Sequence, residues 1–357
     1  MTALAGLAGA VGRLAGDAVR DVTVVEVPCD RPPWLRTELR LEPGDTVTGF
    51  AAGRTRLRGT DISIGPALQL WYRIGVGGEI FRGTRDTHTF TAAAAGVLHL
   101  ASYFPGEWGT RKGALGVPED VYAMVEGSLS VILVRWGVAP LRGLRALAQL
   151  GDDSGLVASE VDRLTHPVLP PAGWYYNWFL GPAEIFRAID EPGRRNALSC
   201  RTEGDCALLL RDASLALEPG TRLGWSWRID ALPSTRAENT FATHDYTSIA
   251  VEFDNGQDLT YLWSAELPCE TGFRCPIPLW ARRETHVAVR SGVEGLGGWH
   301  AEERDLYADH VRYVGGPAGT RIVRVWLIAL TLFQRRQGLS TFADITLTTA
   351  AGETVDL

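Results

Sequence analysis

Short runs of β-branched, aromatic and leucine residues, each closed by a Gly- or Pro-rich turn, recur along nearly the whole of this 357-residue chain. Leu39 to Leu41 leads into the turn Glu42-Pro43-Gly44-Asp45, and Thr46 to Ala52 then alternates. Ala67 to Ile74 reads as a buried strand closed by Gly75 to Gly78, followed by Thr87 to Thr91, Gly96 to Ala101 and Gly127 to Val134. A second series runs through Cys206–Leu210, Arg222–Ile229, Thr247–Phe253, Leu259–Ser264, Glu284–Arg290, Ile322–Thr331 and Phe342–Thr348. Strands this short and this regularly punctuated predict an all-β protein built of sandwiches.

Helical periodicity interrupts the series twice. Leu4, Leu7, Val11 and Leu14 recur at helical spacing, so residues 1–21 are assigned to a short amphipathic helix that packs on a domain or on a second subunit. Residues 138–163 read as a helical linker, closed by Pro167, Pro170 and Pro171. The expected organisation is two β-sandwich or jelly-roll domains, residues 22–137 and 164–357, joined by that linker. The length suits two separate cores.

Composition narrows the chemistry. A net charge of −7 does not favour nucleic acid, which wants a basic face. No run of ~20 apolar residues suggests a membrane span. The N-terminus lacks the basic start of a secretory signal, so a cytoplasmic protein is expected. Lys112 is the single lysine, which disfavours Schiff-base chemistry. There is no phosphate-binding loop, dinucleotide fingerprint, Gly-x-Ser-x-Gly elbow or His/carboxylate metal triad. No cofactor and no metal is therefore expected. Cys200/Cys206 and Cys269/Cys275 repeat a C-x5-C spacing that leaves free thiols, disulfides and a zinc site open.

Two resemblances rest on specific residues. Leu41-Glu-Pro-Gly-Asp-Thr-Val47, Ala67-Leu-Gln-Leu-Trp-Tyr-Arg-Ile-Gly75, Pro105-Gly-Glu-Trp-Gly109 and Gly127-Ser-Leu-Ser-Val131 resemble the small bacterial galactose-binding lectins of the PA-IL type. That resemblance implies a sandwich. It does not carry over the family's calcium, because Phe104, Thr110 and Arg111 stand where a loop Asp and two Asn are expected. Leu223-Gly-Trp-Ser-Trp-Arg-Ile-Asp230, His244-Asp-Tyr246, Tyr261-Leu-Trp263 and Trp299-His-Ala-Glu-Glu-Arg-Asp305 resemble the uncharacterised bacterial domain family of unknown function 3047. This implies a lectin-like jelly roll in the second half.

The candidate site residues lie in that half. Glu252 and Asp254 alternate with Ile249, Val251 and Phe253, which predicts two carboxylates on one sheet face. His244, beside Asp245, and His300 are candidate proton carriers. Trp299, Trp263, Trp174, Tyr176 and Trp178 supply aromatic surface, with the cluster at 174–179 suited to an interdomain cleft. Arg304 is a candidate anion clamp. The favoured reading is a cofactor-independent isomerase, cyclase or lyase acting on a small organic molecule. The alternatives are a noncatalytic carbohydrate-binding protein, and a glycoside hydrolase or lyase using Glu252 and Asp254. A homodimer is left open by the N-terminal helix.

Overall fold

The computed structural model describes residues 4–14, 16–240, 243, 246–277, 280–316 and 319–357. They form two compact units, Met1–Val168 and Leu169–Leu357. Each is a sandwich of mostly antiparallel sheets with few helices; in the second unit the strands Asp258–Ser264 and Glu284–Ser291 pair in parallel.

The first unit contains α1 (Ala5–Arg13), β1 (Val19–Pro28), β2 (Trp34–Leu41), β3 (Thr46–Leu57), β4 (Ser63–Ile64), α2 (Pro66–Gln69), β5 (Leu70–Ile74), β6 (Thr87–Thr91), β7 (Gly96–Ser102), β8 (Val125–Trp136), α3 (Pro140–Gln149) and α4 (Leu156–Thr165). One sheet runs β1-β8-β3-β4, with β6 also paired to β3; the other runs β2-β7-β5. Val27, Val47, Ala51, Leu129, Val131 and Leu133 fill the space between them together with Leu98 and Leu100. The opposite residues of the larger sheet, Phe50, Ile132, Val134 and Trp136, are covered by Leu7 and Val11 of α1, Leu144 and Leu147 of α3 and Val157 of α4.

Two sequence expectations change here. The segment 138–163 is not a linker: its two helices carry apolar residues three or four apart, and burying that stripe against the sheet makes them part of the first sandwich. The expected strand 67–74 begins instead as a helical turn, because Pro66 at the first helical position favours it. Gln69 is thereby buried, where it bonds Thr55, Ser102 and the backbone of Phe104.

The second unit contains β9 (Tyr175–Tyr176), β10 (Phe186–Ala188), β11 (Leu198–Glu203), β12 (Cys206–Ala216), β13 (Arg222–Ala231), β14 (Ser248–Phe253), β15 (Asp258–Ser264), β16 (Gly272–Arg274), β17 (Glu284–Ser291), β18 (Trp299–Asp305), α5 (Leu306–Asp309), β19 (Arg321–Leu330), β20 (Gln337–Thr348) and β21 (Thr354–Asp356). A six-stranded sheet, β10-β11-β20-β13-β18 with β21 beside β20, packs on a seven-stranded sheet, β16-β17-β15-β14-β19-β12-β9. The core between them is aromatic. Trp225 and Trp227, two residues apart on β13, both point into it and meet edge to face at 5.6 Å. Trp225 stacks on Tyr261 at 5.4 Å. Burying ~200 Å² of such a ring contributes on the order of 5 kcal/mol.

Cys200, Cys269 and Cys29 are free thiols, so neither C-x5-C pair is bridged. Cys200 and Cys206 lie on β11 and β12, which belong to different sheets. Burial pushes the Cys200 thiol up to about 12, which keeps it protonated and inert.

Candidate functional site

The seven-stranded sheet has two covered faces, and they differ in kind. On β14 and β15 every residue is buried. Ile249, Val251, Phe253, Leu259, Tyr261 and Trp263 face the core between the sheets. The alternate residues face the other way, and many are polar: Ser248, Glu252, Asp258, Thr260, Ser264, Glu284 and His286, all buried. A sheet covered on both sides is normally apolar on both, because a buried polar group costs energy unless it is paired.

Register organises this face into rows. Asp212 of β12 lies opposite Arg324 of β19, Arg324 opposite Glu252 of β14, Glu252 opposite Asp258 of β15, and Asp258 opposite Glu284 of β17. Five charged residues thus stand side by side across five strands. The carboxylates at its centre are only 8% (Glu252), 1% (Asp258) and 4% (Glu284) exposed. The next row reads Leu210, Trp326, Ala250, Thr260, His286 and Phe273.

Arg324 organises one end. Its Nη1 donates to Glu252 Oε2 at 2.7 Å, and its Nε lies 3.4 Å from Asp212 Oδ1. Trp326 Nε1 donates to the same Glu252 Oε2 at 3.1 Å. Asp212 in turn accepts from the Tyr175 hydroxyl at 2.5 Å. Both bonds to Glu252 thus fall on one oxygen. At the other end His286 stacks face to face on Phe273 at 4.9 Å, and its Nε2 lies 3.9 Å from Glu284 Oε1. Beside the charged row the face turns apolar: Phe179, Leu180 and Trp280 pack on Leu208, Leu210, Ala250, Trp326 and Ile328. Among the described residues, no group of three or more His, Cys, Asp and Glu side chains is shaped to hold a metal ion.

Other expected site residues lie elsewhere. Asp254 does not share the Glu252 face. The strand ends at Phe253, and Asp254 sits exposed in the following turn, where it accepts from the backbone and hydroxyl of Thr320 at 2.8 and 2.6 Å. Arg304 is no open anion clamp, because its guanidinium is bonded to Glu270 (2.6 and 3.2 Å) and Asp309 (2.7 and 2.9 Å). His300 directs Nε2 to the carbonyl of Gly295 at 2.9 Å and meets Trp263 edge-on at 5.1 Å. Trp263 and Trp174 belong to the core, and half-buried Tyr176 packs against it. The Trp299 ring lies under the guanidiniums of Arg194 (4.4 Å) and Arg228 (5.4 Å), so it offers no open platform. Trp178 is half-buried, edge-on to Phe179 at 5.6 Å. His244 and Asp245 lie outside the described residues.

Asp258, Glu284, His286 and Arg324 went unnoticed in the sequence. A signal was present: polar residues of one parity interrupt three otherwise apolar strands.

No curated protein matches the chain. Among solved structures, one likeness is to the "EclA N-terminal domain; PllA-like lectin", at 18% identity and a TM-score of 0.25, covering 31% of this chain and 94% of that one. A second likeness is to the xyloglucanase domain of NopAA, a type three effector from Sinorhizobium fredii in complex with cellobiose, at 9% identity and a TM-score of 0.30, covering 50% of this chain and 94% of that one. Residues 173–346, which hold the charged row entire, match the family described as protein of unknown function DUF3047.

Proposed function

We propose that the second unit is a glycoside-cleaving enzyme whose acid/base groups are Glu252 and Asp258. The observation that carries this reading is their position, opposite one another on neighbouring strands in the middle of a buried row. Opposed residues on antiparallel strands have Cα atoms ~4.5–5.5 Å apart. Retaining glycosidases hold two carboxyl groups ~5–5.5 Å apart, a separation within reach of side chains rising from opposed positions on one sheet face.

The environments of the two groups suggest their roles. Arg324 and Trp326 fix Oε2 of Glu252 and leave Oε1 as the oxygen that attacks the anomeric carbon. Asp258 lies between two other carboxyl groups and carries the proton delivered to the leaving oxygen. In the second half-reaction Asp258 takes a proton from water. That water displaces Glu252 from the glycosyl-enzyme and regenerates both groups. Trp280 packs over the apolar rows beside the carboxylates, with its ring under the Arg283 guanidinium at 5.1 Å.

The reading that relied on His300, Trp299 and Arg304 loses support, because hydrogen bonds and stacked guanidiniums already occupy those groups.

The test is reducing-sugar and aryl-alcohol release by the full chain on a panel of polysaccharides and aryl glycosides. Glu252→Gln and Asp258→Asn are each expected to lower kcat by ~10²-fold or more. His300→Ala is expected to leave it unchanged. Azide added to Glu252→Ala should restore release of the aglycone and yield a glycosyl azide. A chain that binds glycans but cleaves none would be a lectin, and the proposal would fail.

A further inference from the structure

β1 is a ten-residue strand at the edge of the first unit's larger sheet. It pairs with β8 on one side, and among the described residues no strand pairs with its other side. Long unpaired edges invite another strand, and proteins that avoid this protect them with prolines, inward charges or short lengths. Between Val22 and Val25, inside the bulge at Arg20 and the charge of Glu26, β1 has no proline and no charged residue.

Its exposed side chains are also unusual. Val22 is 44% exposed and Val24 is 64% exposed. Their partners on β8, Val134 and Ile132, are fully buried under the helices. The apolar surface of the sheet therefore runs on past the helical cover and ends in two valines at the edge. Arg20 marks one end of this stretch and Glu26 the other. Arg20 is 60% exposed, sits at a bulge and reaches Asp45 only at 3.5 Å. The Glu26 carboxylate is held on the sheet surface by the hydroxyls of Ser128 and Ser130.

We infer that β1 is a dimerisation edge, and that its partner is β1 of a second copy of this chain, paired antiparallel about Thr23. This register places Val22 of each copy opposite Val24 of the other and brings Arg20 of each beside Glu26 of the other. The strand is thus complementary to itself under a two-fold axis, as an isologous interface requires. Any other partner would have to reproduce both the apolar centre and the reversed charges. Pairing removes the exposed valines from water and joins the two sheets into one.

Sedimentation velocity of the full chain over a range of concentrations tests this directly. The wild-type chain is expected to form a dimer. Val24→Lys sets a cation beside the Val22 of the other copy and is expected to leave only monomer. Arg20→Glu and Glu26→Arg each put like charges together and are expected to weaken association about tenfold, or ~1.4 kcal/mol. The double variant Arg20→Glu/Glu26→Arg restores opposite charges and should recover most of the wild-type affinity. A monomeric wild-type chain, or a dimer indifferent to Val24→Lys, overturns the proposal. Failure of the double variant to recover overturns the register.

Discussion

The carboxylate of Glu160 on α4 accepts the backbone N–H of Thr89 on β6 at 2.7 Å. A helix side chain thus adds a hydrogen bond to a strand that, among the described residues, pairs only with β3. Thr87 Oγ1 donates to the other Glu160 oxygen at 2.7 Å, and Arg163 binds both, at 2.6 and 2.9 Å. Burial works to raise the pKa of this carboxyl, but Arg163, Thr89 and Thr87 outweigh it and hold the group below the usual carboxylate range. Glu160→Ala leaves Arg163 and two donors without their acceptor. It is expected to cost the first unit about 3–5 kcal/mol. Urea unfolding followed separately for the two units should show the first transition move and the second stay in place.

His88 provides a pH response within the same unit. Its ring is buried against Tyr72, Phe81 and Phe90. Burial, followed by the nearby Arg163, lowers its pKa from 6.5 to about 4. The folded state therefore binds this proton less readily than the unfolded chain. Its contribution is complete above pH 6.5 and is lost as the pH falls toward 4, by at most about 3 kcal/mol. His88→Phe is expected to flatten the dependence of the first unit's melting temperature on pH in that window.

The second unit responds at lower pH. Hydrogen bonding from Arg304 pulls the Glu270 carboxyl from 4.5 to about 2, with Tyr313 and Arg312 adding to the effect. A lowered folded pKa gives stability that is present above 4.5 and lost as the pH falls toward 2. Glu270→Gln is expected to remove this acid-sensitive part and lower the melting temperature at pH 7. The loss should be modest, because Glu270 is partly open to solvent. Calorimetry at several pH values distinguishes it from the His88 effect.

Gly127 is fixed by geometry alone. It has φ +111°, and a Cβ there would lie 2.2 Å from the carbonyl oxygen of Arg54 on β3. Gly127→Ala therefore has to break or shift the β3–β8 pairing at that point. The expected loss is about 1–3 kcal/mol from backbone strain, with more from the clash. Circular-dichroism melting against a Gly6→Ala control, where a Cβ meets no neighbour, tests this.

The strand rhythm of the sequence was enough to place two sandwiches, since alternation reports directly which residues face a core. The pairing of Trp225 with Trp227 was readable for the same reason. Helices α3 and α4 were visible as helices, but their place on the first sheet was not. Amphipathic spacing says that a face is buried without saying against what. The Glu252/Asp254 pair failed because alternation was carried one residue beyond the strand, into Asp254-Asn255-Gly256, a turn whose residues were themselves a stop signal. The row Glu252, Asp258, Glu284 could not be read locally. It depends on β17 joining β15 in parallel register, a long-range choice that leaves no mark in either strand. Arg304 likewise looked available because Glu270, its main partner, lies 34 residues away.

β14 and β15 are enclosed on both sides, with an aromatic core beneath and the charged row above. Strands so enclosed exchange their amide protons only through large-scale opening, so the acidic groups they carry have almost no freedom to adjust to a guest. Under the proposed glycoside cleavage, selectivity would fall to the side chains packed over the neighbouring rows, Phe179, Leu180 and Trp280. Relatives with different appetites should differ there while keeping the same floor.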